Sequence, residues 1–218
     1  MKLISLNTGL PRDVIWHGRT VTTGIFKEPV EGRIALRTLN LDGDRQADLS
    51  VHGGVHKAVY CYPIEHYAFW REALPGRDLP MPSFGENFTT NGLAEDSVHL
   101  GDRFSVGSAE VVVTQPRLPC YKLGVKFQSD DMVKRFLAAG RTGFYVAVTR
   151  EGDVAAGDHI TILSRDVNAI SVADITRLYV ARTFRADDVS TVQRALQLET
   201  LPDSWKEYFR NRLESRIR

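Results

Sequence analysis

The sequence contains few cysteines, no excess of charge of either sign and no long apolar segment. Only two of its 218 residues are cysteines, Cys61 and Cys120, which is not the composition of a disulfide-stapled secreted scaffold. The formal net charge is +1, which gives no support for the broad basic field of a nucleic-acid binder. Residues 1–11 hold one short apolar patch, unlike a signal peptide or a membrane span. We therefore expect a cytoplasmic protein with reduced thiols, no nucleic-acid partner and no membrane association.

Several common catalytic motifs are also missing. The sequence contains no G-x-G-x-x-G, no P-loop, no G-x-S-x-G and no pair of CxxC motifs. The usual nucleotide-binding, hydrolase and zinc-ribbon chemistries therefore have no support in the sequence. A hydrophobic share of 43% and a charged share of 25% are ordinary for a globular protein. The length allows one good core, or one core with a small appendage.

Short segments with strand-like alternation recur up to about residue 163 and predict a β-barrel or closed sheet. The predicted strands are Lys2–Leu6, Thr20–Lys27, Arg33–Leu41, Lys57–Tyr62, Arg103–Val106, Ala109–Thr114, Phe144–Thr149 and His159–Leu163. Two helices are predicted among them. Pro63–Leu74 has proline in a first-turn position, and Asp130–Ala139 stops at Gly140.

The pattern changes to helical beyond residue 165. Ser171–Asp174 has the sequence of a helix N-terminal cap, and a second apolar pattern runs from Val189 to Leu198. Leu201–Leu213 carries a helical apolar stripe, with Pro202 near its start. We therefore predict a β-barrel over residues 1–165 and a small three-helix bundle over residues 166–218.

Four polar or glycine-rich clusters interrupt the strand pattern and contain the candidate site residues. They are Asp42–Asp48, His52–Lys57, Phe84–Asn87 and Gln115–Lys122.

Cys120 is the most informative residue in these clusters. It follows the predicted strand Val111–Thr114 in a proline-bearing turn, with Arg117 and Lys122 close in sequence. Positive charge favours the thiolate, which is a soft ligand suited to a metal centre. The alternative is a small hydrophobic residue that fills a loop. We adopt that simpler interpretation for Cys61, which lies inside an apolar strand.

The cluster around two adjacent glycines is suited to an anion. Gly53 and Gly54 allow close approach of the backbone to a ligand, and Lys57 adds a cation. A phosphate-bearing ligand would fit, although a Gly-Gly turn beside a surface lysine explains the pattern equally well. His52 and His56 are spaced like metal ligands, but no carboxylate-and-cysteine set completes a zinc site around them.

The two remaining clusters are less specific. An EF-hand loop beginning at Asp42 needs glycine at its sixth position and glutamate at its twelfth, where this sequence has Ala47 and Gly53. We interpret these acidic residues as turn formers or ion-pair partners. Glu86 and Asn87 either orient a ligand or form the turn into the next strand.

Taken in order along the chain, these clusters resemble the motif series of the MOSC domain. The matching segments are Asp42–Asp48 (DGDxQxD), Val51–Tyr60 (VHGGxxKAVY), Phe84–Asn87 (FGEN), Leu100–Asp102 (LGD), Thr114–Leu123 (TQPRxPCYKL) and Gly157–Asp158 (GD). The tail from about Ser171 resembles the three-helix domain that follows MOSC in YiiM-like proteins. The resemblance covers nearly the whole chain.

The resemblance implies a barrel like the barrel domain of pyruvate kinase. It also implies a molybdenum–pterin cofactor whose metal takes one protein thiolate, at the position that Cys120 occupies here. The activity it implies is reduction of small N-hydroxylated compounds such as nucleobases, a detoxification reaction. A separate reductase would supply the electrons, since this chain has no flavin, haem or iron–sulfur motif. We expect a monomer or a homodimer.

The same resemblance assigns roles to individual residues. Cys120 is expected to be the catalytic residue and the metal ligand, while Arg117 and Lys122 offset the negative charge of the cofactor. The rest of the expected cofactor-binding set is His52, Gly53, Gly54, Lys57, Phe84, Gly85, Glu86 and Asn87. The proton donor stays open among Asp48, His52 and Glu86.

One alternative is a sulfur or molybdenum-cofactor carrier, in which Cys120 holds a persulfide or passes the cofactor on without turnover. Some MOSC relatives are fused to cysteine desulfurases that use pyridoxal phosphate. This chain lacks the length for such a domain, so pyridoxal phosphate binding is an association of the family alone.

A second alternative is an interaction module built on the C-terminal helix. Its basic side comprises Lys206, Arg210, Arg212, Arg216 and Arg218. Such a side could contact DNA, but a solvated helix face explains it more simply. We expect the C-terminal helices to dock on the barrel, to shape the substrate entrance or to meet the electron donor. Trp205 and Tyr208 would be anchors there or simply core residues.

Overall fold

The computed structural model describes residues 1–47 and 53–217. Within them lie the strands β1 (Lys2–Thr8), β2 (Arg12–Trp16), β3 (Arg19–Thr23), β4 (Glu28–Pro29), β5 (Ile34–Leu36), β6 (Val59–Pro63), β7 (Phe88–Asn91), β8 (Arg103–Val106), β9 (Ala109–Pro116), β10 (Phe144–Arg150), β11 (Gly152–Val154) and β12 (Ile160–Ser164). The α-helices are α1 (His66–Ala73), α2 (Tyr121–Phe127), α3 (Met132–Ala139), α4 (Val172–Val180), α5 (Ala186–Ala195) and α6 (Asp203–Ile217), and a short 3-10 helix covers Val55–Lys57.

Eight strands form one sheet that closes into a barrel. Their order is β12-β8-β9-β10-β6-β7-β1-β4, and every neighbouring pair is antiparallel except β6 with β7. Lys2 bridges His159, and Ile160 N donates to Met1 O at 3.0 Å, so β1 also meets the start of β12. The predicted β-barrel is therefore confirmed.

Strand alternation divides the apolar residues between two cores. In β6, Val59 and Cys61 enter the barrel interior, while Tyr60 and Tyr62 join an aromatic cluster with α1 and α3 outside it. Each fully buried large side chain contributes roughly 1.5–3 kcal/mol. Burial raises the pKa of the Cys61 thiol well above its usual value. The interpretation of Cys61 as a packed core residue is confirmed.

The predicted strand Arg33–Leu41 is too long, because β5 covers only Ile34–Leu36. The chain turns directly afterwards, where Arg37 N donates to Asn40 O at 2.8 Å. Leu39, which the alternation placed in a core, has 52% of its surface exposed. The turn at Arg37–Asn40 ends the strand, although the alternation of apolar and polar residues continues in the sequence.

Two other boundaries also differ from the prediction. The predicted strand Thr20–Lys27 ends at Thr23, and its partner β2 was not predicted, because the exposed β2–β3 ribbon has little apolar alternation. Pro63 does not open a helix. It ends β6, paired with Thr90 of β7, and α1 begins only at His66.

The helix predictions near the C-terminus agree closely with the structure. Ser171 Oγ accepts from Asp174 N at 3.0 Å and the Asp174 carboxylate accepts from Ser171 N at 3.3 Å, which completes the expected capping box of α4. Helices α4, α5 and α6 pack on the barrel through one continuous apolar core that includes Ile175, Val192 and Phe209. The predicted C-terminal three-helix bundle is confirmed.

Arg212 on the basic side of α6 has a structural role. Its guanidinium donates to Leu178 O at 3.0 Å, donates to Ala181 O at 2.6 Å, and lies 4.2 Å from the centre of the Phe184 ring. These contacts satisfy carbonyls at the end of α4. Arg212 therefore connects α6 to the end of α4, and its guanidinium is not a purely solvent-exposed charge.

None of the helices within residues 1–47 and 53–217 combines the length and the apolarity that crossing a bilayer requires.

Candidate functional site

Cys120 lies at the start of a helix that the sequence did not predict. The turn expected at this position is in fact the N-terminal cap of α2, where Leu123 N donates to Cys120 O at 2.9 Å. The preceding residues leave the end of β9 and carry the cysteine out of the sheet. Cys120 is partly exposed, whereas Cys61 is buried. The Cys120 thiol therefore lies where solvent can reach it.

Two cations lie near this thiol. Burial lowers the pKa of Lys57, while the neighbouring Cys120 acts in the opposite direction. The pKa of Arg117 is raised overall. Burial, the largest single effect, lowers this pKa, but the combined effect of Tyr60, Tyr145 and Cys120 raises it by more. Arg117 is therefore a buried, charged guanidinium beside the thiol.

Aromatic rings hold Arg117 in place. Its guanidinium carbon lies 5.1 Å from the centre of the Tyr60 ring and 5.0 Å from that of Phe136. Only 5% of the residue is exposed, yet its Nη1 has no hydrogen-bond partner among the described atoms. Leaving a buried donor unpaired costs about 1–3 kcal/mol. An anion bound next to Nη1 would remove that cost.

A cavity opens beside Cys120, with about 660 Å³ of empty space that includes open solvent at its mouth. Lys57, Arg117, Lys122 and Arg45 supply positive charge to its lining. We call this the basic cavity. The structure thus brings together Cys120, Lys57, Arg117 and Lys122 from the predicted site, and Arg45 is an addition from the Asp42–Asp48 cluster.

A hydrogen-bonded network supports the floor of the basic cavity. Asn87 Nδ2 donates to Asp44 Oδ2 at 2.9 Å, Asn87 Oδ1 accepts from Tyr60 N at 3.1 Å, and Asp44 forms a buried ion pair with Lys27. Burial lowers the pKa of Lys27, and Asp44 acts against that shift. Asn87 lines the cavity, but its amide is already used to fix the floor.

Phe84 and Glu86 do not reach the basic cavity, which corrects their expected position. Phe84 packs in the aromatic cluster outside the barrel. The Glu86 carboxylate is fully buried and accepts from Tyr67 Oη, from Phe84 N at 3.0 Å and from Thr89 Oγ1 at 3.1 Å. Burial raises its pKa. These contacts make Glu86 a structural carboxylate that orders the loop.

The other residues expected to bind the cofactor do not all lie at the basic cavity. Gly85, with φ of 80°, lines the basic cavity. Gly53 and Gly54 are absent from the described lining, and Gly54 O accepts from Lys57 N at 3.0 Å at the start of the 3-10 helix. His52 and Asp48 lie outside the described residues.

Tyr145 is a site residue that the sequence analysis missed. In β10 it alternates with Phe144 and Val146, which face the barrel core, and it pairs with Gln115 and Tyr60 on neighbouring strands. Burial raises its pKa, and the nearby Arg117 opposes that shift. The sequence did contain an indication of it, because Tyr145 is an aromatic residue on the outward face of the predicted strand Phe144–Thr149.

A second cavity lies between the barrel and the C-terminal helices, with about 910 Å³ of empty space that includes open solvent at its mouth. Cys120 and Tyr145 line it from the barrel side, and Tyr179, Trp205 and Tyr208 line it from the helices. The C-terminal bundle thus forms one wall of a cavity that contains the candidate cysteine.

The site does not contain a multi-ligand metal cluster in the described part of the chain. Within residues 1–47 and 53–217, no three side chains of His, Cys, Asp or Glu converge as a set of metal ligands. What the described residues offer is one thiol set among cations.

Two family models match this chain. The model of the MOSC domain matches residues 48–161, and that of the YiiM-like 3-alpha helix domain matches residues 170–216. Uncharacterized protein YflK of Bacillus subtilis is 42% identical over 207 residues, which cover 95% of this chain and 92% of that protein. A protein named Reductase from Gibberella moniliformis is 33% identical over 168 residues, covering 76% of this chain but 30% of its own length.

A solved structure agrees with these matches over almost the whole chain. The crystal structure of YiiM from Geobacillus stearothermophilus superposes with a TM-score of 0.80 at 35% identity, covering 97% of this chain and 98% of that one. With its barrel, its partly exposed cysteine in a basic cavity and its three terminal helices, the chain belongs to the MOSC domain family, among the YiiM-like proteins.

Proposed function

We propose that this chain is a molybdenum-cofactor-dependent oxidoreductase that reduces N-hydroxylated compounds, N-hydroxylated nucleobases among them. The observation that carries the proposal is the Cys120 thiol at the edge of a cavity where Arg117 Nη1 is buried without a hydrogen-bond partner among the described residues. MOSC domains are generally linked to the molybdenum cofactor. The name of the fungal relative supports a reductive activity.

The residues present fit such a cofactor. Cys120 would be the single protein ligand of the metal, because a thiolate is a soft, charge-donating ligand. Arg117 would bind a phosphate or the dithiolene sulfurs with its planar fork, and Lys57 and Lys122 would add point charges. The Lys27–Asp44–Asn87 network would keep the floor rigid. Gly85 and Asn87 line the same cavity and would contact the cofactor there.

The overall reaction is R–NH–OH + 2 e⁻ + 2 H⁺ → R–NH₂ + H₂O, in which the N–O bond breaks and the oxygen leaves as water. When bound, the cofactor supplies the two-electron chemistry, and the protein supplies orientation and electrostatics. A separate reductase protein, or a reduced viologen in vitro, provides the electrons. Lys57 Nζ and Tyr145 Oη carry exchangeable protons at the wall that both cavities share. Burial favours loss of a proton from Lys57.

The proposal predicts that molybdenum binding depends on one of the two cysteines. Wild type, Cys120→Ala and the matched control Cys61→Ala are purified from a molybdate-supplied host and analysed for metal. We expect molybdenum near one atom per chain in wild type and Cys61→Ala, and background levels in Cys120→Ala. Reduced viologen should support turnover of an N-hydroxylated base in wild type and Cys61→Ala, and not in Cys120→Ala.

Two results would change the conclusion. Reductive turnover that persists in Cys120→Ala would overturn the assignment of the ligand. Molybdenum in the wild type without turnover of any N-hydroxylated compound would make the chain a cofactor carrier.

A further inference from the structure

We propose that Lys126 is an acylation site, at which the side-chain amine accepts the acyl group of a small acyl phosphate. Lys126 lies in the last turn of α2 and lines a third cavity, whose described lining does not include Cys120. The proposed reduction makes no use of this residue, so the inference stands independently of it.

The third cavity gives the amine access to solvent. It lies between residues 26–29, residues 77–83 and the end of α2, with about 950 Å³ of empty space that includes open solvent at its mouth. Lys126 is itself partly exposed. A small solute can therefore approach the side chain from outside the protein.

Two backbone carbonyls hold the amine in place. Lys126 Nζ donates to Pro82 O at 2.8 Å and to Ile25 O at 3.2 Å, and these are the hydrogen bonds that it makes to the described residues. An ammonium group has three N–H donors, whereas a neutral amine has two donors and a lone pair. The two carbonyls therefore satisfy the neutral amine completely and leave its lone pair unused. That lone pair is the nucleophile.

The surroundings also favour the neutral amine. Burial is the main cause that lowers the pKa of Lys126 to about 8, and Lys27 and Arg12 act in the same direction, while Glu86 and Glu28 oppose them. At pH 7.5, about one-quarter of such amines are neutral, against roughly one in a thousand for an ordinary lysine. Lys126 is therefore a buried side chain that is ready to react at neutral pH.

The charges of the cavity favour an acyl donor with an anionic leaving group. Lys27, Arg77 and Lys126 outnumber the acidic residues of the described lining, Glu28 and Asp78. Arg77 is exposed there, and its guanidinium is suited to binding a phosphate. An acyl phosphate combines an activated acyl group with such a phosphate.

The reaction is Lys–NH₂ + R–CO–OPO₃²⁻ → Lys–NH–CO–R + HPO₄²⁻. An N–C bond forms, the bond from the acyl carbon to the phosphate oxygen breaks, and the amine proton leaves on the phosphate. The product amide is uncharged and keeps a single N–H, so it can donate to only one of the two carbonyls of Ile25 and Pro82. Acylation therefore removes a charge from α2 and one hydrogen bond between this helix and the rest of the barrel domain.

The test follows acetylation of individual lysines in the native protein. Wild type is incubated with acetyl phosphate from pH 6.5 to 9.5, and peptide mass spectrometry measures the acetylated fraction of Lys126 and of Lys134, an exposed internal control in α3. At pH 7.5, Lys126 should react about tenfold faster than Lys134. The rate at Lys126 should level off above about pH 8.5 while that at Lys134 keeps rising, and the two rates should become similar in unfolding concentrations of urea. Similar rates in the native protein, or a rate at Lys126 that rises throughout, would overturn the inference.

A variant at Arg77 tests the preference for a phosphate leaving group. Arg77 Nη1 also donates to Phe127 O at 2.6 Å, so Arg77→Gln is compared with wild type using both acetyl phosphate and a neutral acetyl thioester. The rate at Lys126 should fall at least about threefold with acetyl phosphate and stay within about twofold with the thioester. An unchanged rate with acetyl phosphate, or an equal fall with both reagents, would overturn the assignment of an acyl phosphate. Neither experiment requires bound molybdenum, so failure of the proposed reduction would leave these results unaffected.

Discussion

Arg117 shows at the scale of one residue how the site is prepared for an anion. Its charge is buried against Tyr60 and Phe136, and its Nη1 lacks a partner among the described atoms. A buried unpaired donor destabilises the folded chain, so it persists where a function requires it. Under the proposed function, Arg117 would be a binding group whose unpaired donor is satisfied when an anion is bound.

This interpretation predicts that Arg117→Met separates stability from binding. Methionine keeps most of the apolar contact with the two rings and removes the unpaired donor. In protein purified without cofactor, the free energy of unfolding should not fall and should rise by up to about 1 kcal/mol. Molybdenum content should fall severalfold. Urea unfolding and metal analysis of the same preparations measure both effects.

Arg77 provides a matched control for this substitution. It also lies over an aromatic ring, that of Phe127, but its Nη1 donates to Phe127 O at 2.6 Å. Arg77→Met should therefore lower the free energy of unfolding by about 1 kcal/mol and leave molybdenum content unchanged. A loss of more than 2 kcal/mol in Arg117→Met, with normal molybdenum content, would make Arg117 a structural residue.

The sequence identified part of the site at this scale. Cys120, Lys57, Arg117 and Lys122 were expected together, and they share one cavity. Glu86 was expected to contact the cofactor, but its carboxylate is enclosed by protein donors. A motif predicts which residues lie near a site. It does not predict which side chains contact the ligand and which are hydrogen-bonded within the protein. That depends on packing between distant segments.

At the scale of elements, alternation predicted the barrel, but short elements were missed. Helix α2 has seven residues and contains Gly124, so its local preference for helix is weak. Its stability comes from burial of Leu123, Val125 and Phe127. Tertiary packing of this kind leaves little trace in the local sequence, which is why the segment around Cys120 was predicted as a turn.

Lys126 of α2 gives this helix a pH-dependent stability. Burial lowers the pKa of Lys126 to about 8, and its Nζ donates to Ile25 O at 3.2 Å and to Pro82 O at 2.8 Å. Because the pKa of lysine in the unfolded chain is near 10.5, the unfolded state holds more protons between pH 8 and 10.5. The free energy of unfolding contributed by this group therefore rises with pH across that window.

We expect Lys126→Met to remove this slope. Between pH 7 and 9.5, wild type should gain on the order of 1–2 kcal/mol of unfolding free energy relative to the variant. Lys134→Met, at an exposed position in α3, should follow wild type at every pH. If the unfolding free energies of wild type and Lys126→Met, measured in urea, change with pH in parallel, burial does not lower the pKa of Lys126.

At the scale of the whole molecule, the barrel and the C-terminal helices depend on each other. One apolar core runs from Leu3 in β1 to Phe209 in α6. The sequence predicted the two units and the docking of the helices on the barrel, with Trp205 as an anchor or a core residue. It did not predict that Trp205 pairs with Gln115, because the two residues are 90 positions apart. Such a contact has no local signature. The second cavity beside Cys120 exists only where the two units meet, so its shape depends on that interface.

The hydrogen bond from Trp205 to Gln115 allows this dependence to be measured. Trp205 Nε1 lies 2.6 Å from Gln115 Oε1, and both residues are buried. Gln115→Leu should cost about 1–3 kcal/mol, since it leaves the indole N–H without its acceptor. Trp205→Phe then removes the donor as well, so the double variant should be more stable than the sum of the single losses predicts. A coupling of about 1–2 kcal/mol is expected from this cycle.

The same unfolding curves test whether the units behave as one. Because the core is continuous, circular dichroism of the helices and near-ultraviolet signals of the barrel should report one shared transition in wild type and in all three variants. Two separated transitions would show that the bundle folds independently, and additive single losses would show that this hydrogen bond does not couple them. Either result would mean that contacts other than the Trp205–Gln115 bond hold the helices against the second cavity.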